Sequence, residues 1–331
     1  MELAYPNIKC ILKSLSFEQR KALFKGSPKS GALRKSEASY PYKFDDFLWY
    51  SLLHDCHGFL IIGRFAIRFY KERPDPDLPT LMIYGRIPAD CRRNKKPWVG
   101  FTPCGEPKEL KNLSVNEAVK QWIDYHLNRD GTKIEKFTVV GVSQVIKDLN
   151  NLTVTKFHFK KTQCVFANQI PNEFPNNFLP KEVHIEHDVS LLEPFVIQAE
   201  VVEYNNEMQV EVDIEDIMRV NCHTFRLIMF YPSYTWLMDF IRRLARDGKP
   251  IGYNLKTNTK GNMECATLDW MGVQIGARKT EMLGRKCITL DIETNPDAEL
   301  NARTDQHDLG ILWIEVAPKN TALPRDAPNQ E

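Results

Sequence analysis

The feature that most constrains this chain is a phrase it uses twice. "YHLNRDGTKIEKFTV" ends at Val139, and "RRLARDGKPIGYNLK" spans residues 242–256. In each, an apolar helical pattern runs into Arg-Asp-Gly and a strand pattern follows. Val119 aligns with Trp236, Ile123 with Phe240, Leu127 with Leu244 and Ile134 with Ile251. Glycine at the junction tolerates a left-handed backbone that a Cβ makes costly. A helix–turn–strand unit used this way predicts a degenerate repeat, hence an α/β fold with a parallel sheet and helices outside. Between the two phrases, Leu149, Leu152 and Val154 fit the L-x-x-L-x-L spacing of a leucine-rich repeat. Units stacked in this way usually build binding surfaces.

The rest of the chain divides by pattern. Residues 1–36 read as a small helical unit: Ile8, Ile11, Leu12 and Leu15 share one helix face, and Pro6 suits the first turn. Residues 37–113 read as a connecting β and loop region, with strands at 59–70 and 80–87 and a basic loop between Pro88 and Pro107. Residues 114–316 read as the repeat-like body. Strands are expected at 152–159, 181–186, 198–204, 223–230, 251–257, 286–292 and 311–316. The tail, residues 317–331, is rich in Pro and polar groups and is expected to be disordered.

Composition excludes several classes. The 331 residues carry a net charge of +1, so no global field draws nucleic acid or anionic lipid. No apolar run reaches the ~20 residues of a membrane span, and the start lacks a signal peptide's apolar stretch. Eight cysteines without a Cys-x-x-Cys pair fit a reduced, intracellular protein, cytoplasmic or nuclear.

Candidates for chemistry are few. Phosphate-binding, dinucleotide-binding, nucleophile-elbow and zinc-protease signatures are absent from the sequence. His54, Cys56 and His57 offer zinc-type ligands but need a fourth from Cys91 or Cys104, and a polar turn is the simpler reading. His184 and His187 face opposite ways if their segment is a strand. Cys164, Cys222 and Cys287 lack a local base that would activate a thiol. Asp213, Glu215, Asp216, Asp291 and Glu293 could serve as acid and base, though solvated strand ends are commoner. Arg92, Arg93, Lys95 and Lys96 beside Trp98 form one basic patch, more in keeping with a solvated loop than a nucleic-acid site. No cofactor or metal is expected.

Two stretches carry a family resemblance: "AYPNIKCILKSL", with Tyr5, Pro6, Lys9 and Cys10, and "VNCHTFRLIMF" followed by "WLMDFIRRLARDGKPIGYNLK". On these the chain resembles a nematode-expanded family that joins an abbreviated F-box-like N-terminus to an F-box-associated domain with leucine-rich-repeat character. The resemblance implies that residues 1–36 are the F-box-like unit and 114–316 the F-box-associated domain. It implies a non-enzymatic adaptor that recruits a protein substrate to a cullin ubiquitin ligase. The contact with the ligase's linker protein would then fall on Pro6, Ile8, Ile11, Leu12 and Leu15. The alternative is an intracellular α/β enzyme with an acid–base or thiol site.

Overall fold

In the computed structural model, Gly131 and Gly248 both adopt positive φ, +81° and +75°. The residues described are 10, 12–13, 15, 17–26, 31–52, 57–62, 65–71, 80–85, 108–111, 115–140, 149, 152–160, 178–186, 189–206, 211–229, 232–259, 263, 265–304 and 310–325. They form two compact units, Met1–Lys181 and Glu182–Glu331, each mixed α/β.

The first unit contains α1 (Phe17–Gly26), α2 (Gly31–Ser39), β1 (Lys43–Leu52), β2 (His57–Ile62), β3 (Phe65–Lys71), β4 (Thr80–Gly85), β5 (Lys108–Lys111), α3 (Val115–His126), β6 (Thr132–Val140) and β7 (Leu152–Lys160). Its strands lie in the order β7-β6-β1-β2-β3-β4-β5. The first three are parallel and the rest antiparallel. Phe47, Phe137 and Phe157 stand opposite one another on β1, β6 and β7, fully buried, with ring centroids 5.2 Å and 5.8 Å apart. Each such ring contributes about 1.5–3 kcal/mol by leaving water. This ladder crosses the expected boundary at residue 113. Because β1 pairs with β6, the described strands within 37–113 share one sheet with β6 and β7.

The second unit contains β8 (Glu182–Glu186), α4 (Pro194–Ile197), β9 (Val201–Asn206), α5 (Ile214–Arg219), β10 (Thr224–Met229), α6 (Tyr234–Asp247), β11 (Asn254–Asn258), α7 (Cys265–Ile275), β12 (Arg278–Met282), β13 (Arg285–Ile292), β14 (Asn295–Thr304), β15 (Ile311–Pro318) and β16 (Leu323–Pro324). Consecutive strands β8, β9, β10 and β11 are neighbours and parallel, each joined to the next through a helix. Beyond β11 the order is β15-β14-β13-β12-β16, all antiparallel.

Helix α6 shows why the second phrase works. Ser233 caps its N-terminus by accepting from Trp236 N at 3.1 Å. Trp236, Leu237, Phe240, Ile241, Leu244 and Ala245 are buried at helical spacing. The helix ends at Gly248, whose amide donates to Leu244 O. Lys249 then reaches the end of α5, donating to Met218 O and Val220 O at 2.7 Å each. A cation there satisfies carbonyls that the helix leaves open.

The two phrases share a glycine of positive φ but differ in element bounds and side chains: α3 ends at His126, five residues before Gly131, whereas α6 runs to Asp247, next to Gly248. Ile123 and Leu127 are fully buried, as are Phe240 and Leu244. Ile134 is core within β6, whereas its counterpart Ile251 is 46% exposed. Pro250 and Gly252 insert a turn there and β11 begins only at Asn254. Arg129 is buried; Arg246 projects outward and pairs with Asp247.

Of the tail expected to be disordered, residues 317–325 are ordered, and the rest lies outside the described residues. β15 extends to Pro318, and residues 319–325 fold back over the sheet. Glu299, fully buried on β14, accepts from Ala322 N at 2.7 Å and Asn320 N at 3.2 Å. Arg325 pairs with Asp269 and donates to Cys287 O at 2.9 Å. Proline and polar residues mislead here because buried partners on other strands satisfy them. Among the described residues no helix is long and apolar enough to cross a membrane.

Candidate functional site

The sheet of the second unit has two unlike faces. On one, Val183, Val202, Phe225, Leu255, Ile314, Ala302 and Ile288 occupy one cross-strand row, all fully buried. Helix α7 packs on this face, and Gly272 lets it come so close that a Cβ would meet Ile288 Cγ2. The opposite face presents the next residue of each strand. Its row reads His184 (β8), Glu203 (β9), Arg226 (β10), Lys256 (β11), Trp313 (β15) and Arg303 (β14). Period-2 alternation sends these side chains away from the helices.

These groups are knitted together. His184 Nε2 lies 2.6 Å from Glu182 Oε1, and its Nδ1 lies 3.5 Å from Glu203 Oε1. Arg226 pairs with Glu203 at 3.2 Å. Lys256 Nζ stands 3.7 Å from the centroid of the Trp313 ring, and the Arg303 guanidinium 5.0 Å from it. Arg303 also donates to Glu315 at 3.0 Å. Exposure varies along the row, from 53% at the Arg226 side chain to 8% at Arg303. The folded-back segment 319–325 shelters the β12–β14 end, where Cys287, Met282 and Ala322 pack together. The expanse from β15 to β8 remains half exposed. Polar groups fixed in place by neighbours, with an aromatic plane among them, suit recognition of a polypeptide.

A second concavity in this unit is an open groove of about 800 Å³. It gathers four of the sequence-selected carboxylates, Asp213, Glu215, Asp291 and Glu293, alongside Arg242, Arg243, Arg246 and Arg278. Asp213 caps α5 by accepting from Glu215 N, and Glu215 pairs with Arg243 at 2.9 Å. Lys319 bonding, with Arg278 nearby, holds Asp291 below the usual carboxylate range. A general acid needs the opposite shift. Asp216 is not among the groove residues.

The other sequence candidates resolve as follows. Leu12 is fully buried against Leu33, with Leu23, Phe24 and Tyr40 around it, so it is core and not a docking surface. Leu15 is half-buried. Pro6, Ile8 and Ile11 lie outside the described residues, as do His54, Cys56, Cys91, Cys104, Cys164, His187 and the basic patch around Trp98. His57 opens β2. Burial pushes the Cys222 thiol up to about 12 and raises that of Cys287, so both are protonated and inert as nucleophiles. Trp313, Lys256 and Arg303 escaped the sequence reading. Their strands, "ILWIEVAP", "NLKTN" and "NPDAELNART", do not mark them locally, and they become meaningful only once the register aligns them.

The first unit holds a buried polar cluster whose role is structural. Arg129 donates through Nε to Tyr125 O at 2.7 Å and through Nη1 to Glu37 O and Tyr40 O, tying the ends of α3 and α2 together. His126 lies among Phe17, Tyr42, Trp122 and Tyr125. Burial, reinforced by Lys21 and Arg129, drives its pKa down to about 2. In the unfolded chain it returns to about 6.5, so below that pH only the unfolded state takes the proton. Stability should therefore fall as pH drops below 6.5, by about 2 kcal/mol between pH 7 and pH 5. Urea melts of wild type and His126→Leu at the two pH values measure this. An equal loss in both proteins would rule His126 out as its source.

Comparison with protein-family models, curated proteins and solved structures gives no match for this chain.

Proposed function

We propose that the chain is a non-enzymatic interaction adaptor that receives a protein partner on the open sheet face of its second unit. The observation that carries this is the row His184–Glu203–Arg226–Lys256–Trp313–Arg303, half exposed across successive strands while a helix packs on the opposite face. Sequential parallel strands joined by helices support a leucine-rich-repeat-like reading of this region, and such sheets bind along their strand face. By its sequence resemblance, the adaptor is a substrate-recruiting subunit of a cullin ubiquitin ligase, acting inside the cell. The N-terminal helices would then meet the linker protein through Pro6, Ile8, Ile11 and Leu15.

Affinity purification of the full chain from native extract tests both contacts. Arg226→Glu combined with Trp313→Ala should lose the substrate-class proteins and keep ligase components. Leu15→Asp should do the reverse. Recovery of the same proteins by wild type and the sheet-face variant would overturn the docking reading. If folded wild type brings down no cullin-ligase component, the ligase assignment falls.

The alternative, an acid–base enzyme, draws on one observation: the groove collects Asp213, Glu215, Asp291 and Glu293. Pairing of Glu215 and Asp291 with arginines makes the groove a weaker basis than the sheet face.

A further inference from the structure

We infer that Lys256 and Trp313 form a subsite for a single carboxylate side chain, and that the partner of this face is a polypeptide segment presenting one Asp or Glu there. This rests on the docking reading above. Along the row the other cations are already matched: Arg226 by Glu203 and Arg303 by Glu315. Lys256 has no carboxylate partner among the described residues, and its ammonium is held 3.7 Å from the Trp313 ring centroid. Arg226, Lys256 and Arg303 therefore face only Glu203 and Glu315, three positive charges against two negative. One entering carboxylate brings this stretch to neutrality.

Two donors nearby also want an acceptor. Trp313 Nε1 and Arg303 Nε are buried without a hydrogen-bond partner, and Arg303 as a whole is only 7% exposed. Buried donors are normally satisfied. Trp313 stands directly opposite Lys256 on one side and Arg303 on the other. An oxygen beside Lys256 Nζ thus meets that cation and the indole, with Arg303 on the strand beyond the indole. A carboxylate has a second oxygen that can accept from an N–H group.

The same row limits how acidic the partner can be. Glu182 and Glu186 make the β8–β9 end negative. An acidic run extending there would be repelled, while a Lys or Arg would be welcomed. Strands lie about 4.8 Å apart and an extended peptide advances about 3.3 Å per residue. From β11 to the β8–β9 edge is thus about three to four peptide residues. The preferred segment carries an acid and, about that far along, a base.

The test uses the full chain and a short Ser/Thr peptide bearing one Glu and one Lys about four residues apart. Controls replace the Glu by Gln. The readout is the Trp313 indole N–H resonance, assigned with Trp313→Phe, together with calorimetric affinity. The Glu peptide should move that resonance. Binding should fall about tenfold or more with the Gln peptide, or with Lys256→Met, and persist in Lys256→Arg. Lys256 is on the surface, so its variants should fold as wild type does. Equal binding of Glu and Gln peptides, or no effect of Lys256→Met, overturns the subsite. A photo-crosslinker replacing Ile228 separates the two proposals. Crosslinking that ignores peptide charge leaves docking standing and the subsite refuted; neither crosslinking nor a resonance shift refutes both.

Discussion

Replacing Glu299 by alanine should lower the stability of the second unit by about 4 kcal/mol and release the segment 319–325. Glu299 is fully buried and receives Ala322 N at 2.7 Å, Asn320 N at 3.2 Å and Asn301 Nδ2 at 3.3 Å, with Arg278 at 3.5 Å. Removing it leaves the buried Ala322 amide and the Asn301 side chain without their acceptor. Breaking a buried charge network from one side typically costs about 3–5 kcal/mol, well above the value of a surface pair. The packing of Met282, Cys287 and Ala322 depends on the same anchor. Urea unfolding gives the global loss, and hydrogen exchange at Asn320 and Ala322 gives the local one. Asp291→Asn is the control: its side chain is 66% exposed, so the change should stay within about 1 kcal/mol. A loss below about 1 kcal/mol for Glu299→Ala, with those two amides still protected, would show that the segment is held by other contacts.

The anchoring of that segment also shows where sequence reasoning stopped. "NPDAELNART" lies outside every strand expected from the sequence, yet it is β14, and residues 298–304 are buried on both faces. Its polar side chains are satisfied by one another and by chain neighbours that no local window contains: Thr289 donates to Asn301, and Arg303 to Glu315. β1 was hidden for a related reason. Asp45 and Asp46 interrupt its alternation, so Phe44 and Phe47 are both buried with two residues between them. By contrast β9, β10 and β15 alternate cleanly, and α3 and α6 carry clean helical stripes, because each meets its core on one face only; β6 and β7 were legible although they share the three-position step of β1, from Ile134 to Phe137 and from Val154 to Phe157. The groove carboxylates were visible as pairs in sequence; their convergence was not. The sheet-face row needed the pairing register, which is set by strands up to 129 residues apart, from His184 to Trp313.

The repeated phrase yields a difference of size between its two glycines. Gly131→Ala should cost about 1–2 kcal/mol. Its φ of +81° disfavours any Cβ, but the added methyl would touch only Pro41, at an ordinary 3.7 Å. Gly248→Ala should cost about 4 kcal/mol. Its φ of 75° and ψ of 162° lie in a region that only glycine occupies readily. A Cβ there would collide with Thr294 Oγ1 and press Ile292 Cγ2 at 3.2 Å. Neither neighbour can withdraw freely. Thr294 Oγ1 donates to Asp247 O, Glu293 N donates to Ala245 O, and Ile292 is buried. The turn joining β13 to β14 is thus clasped onto the end of α6, and Gly248 is the residue that lets it approach. Adding Thr294→Ala to Gly248→Ala should recover about 1 kcal/mol by removing the collision while the backbone strain remains. Urea melts of the two single variants and the double variant decide the matter. Equal losses at the two glycines would mean that backbone strain alone sets the cost and that the close approach at Gly248 has no weight.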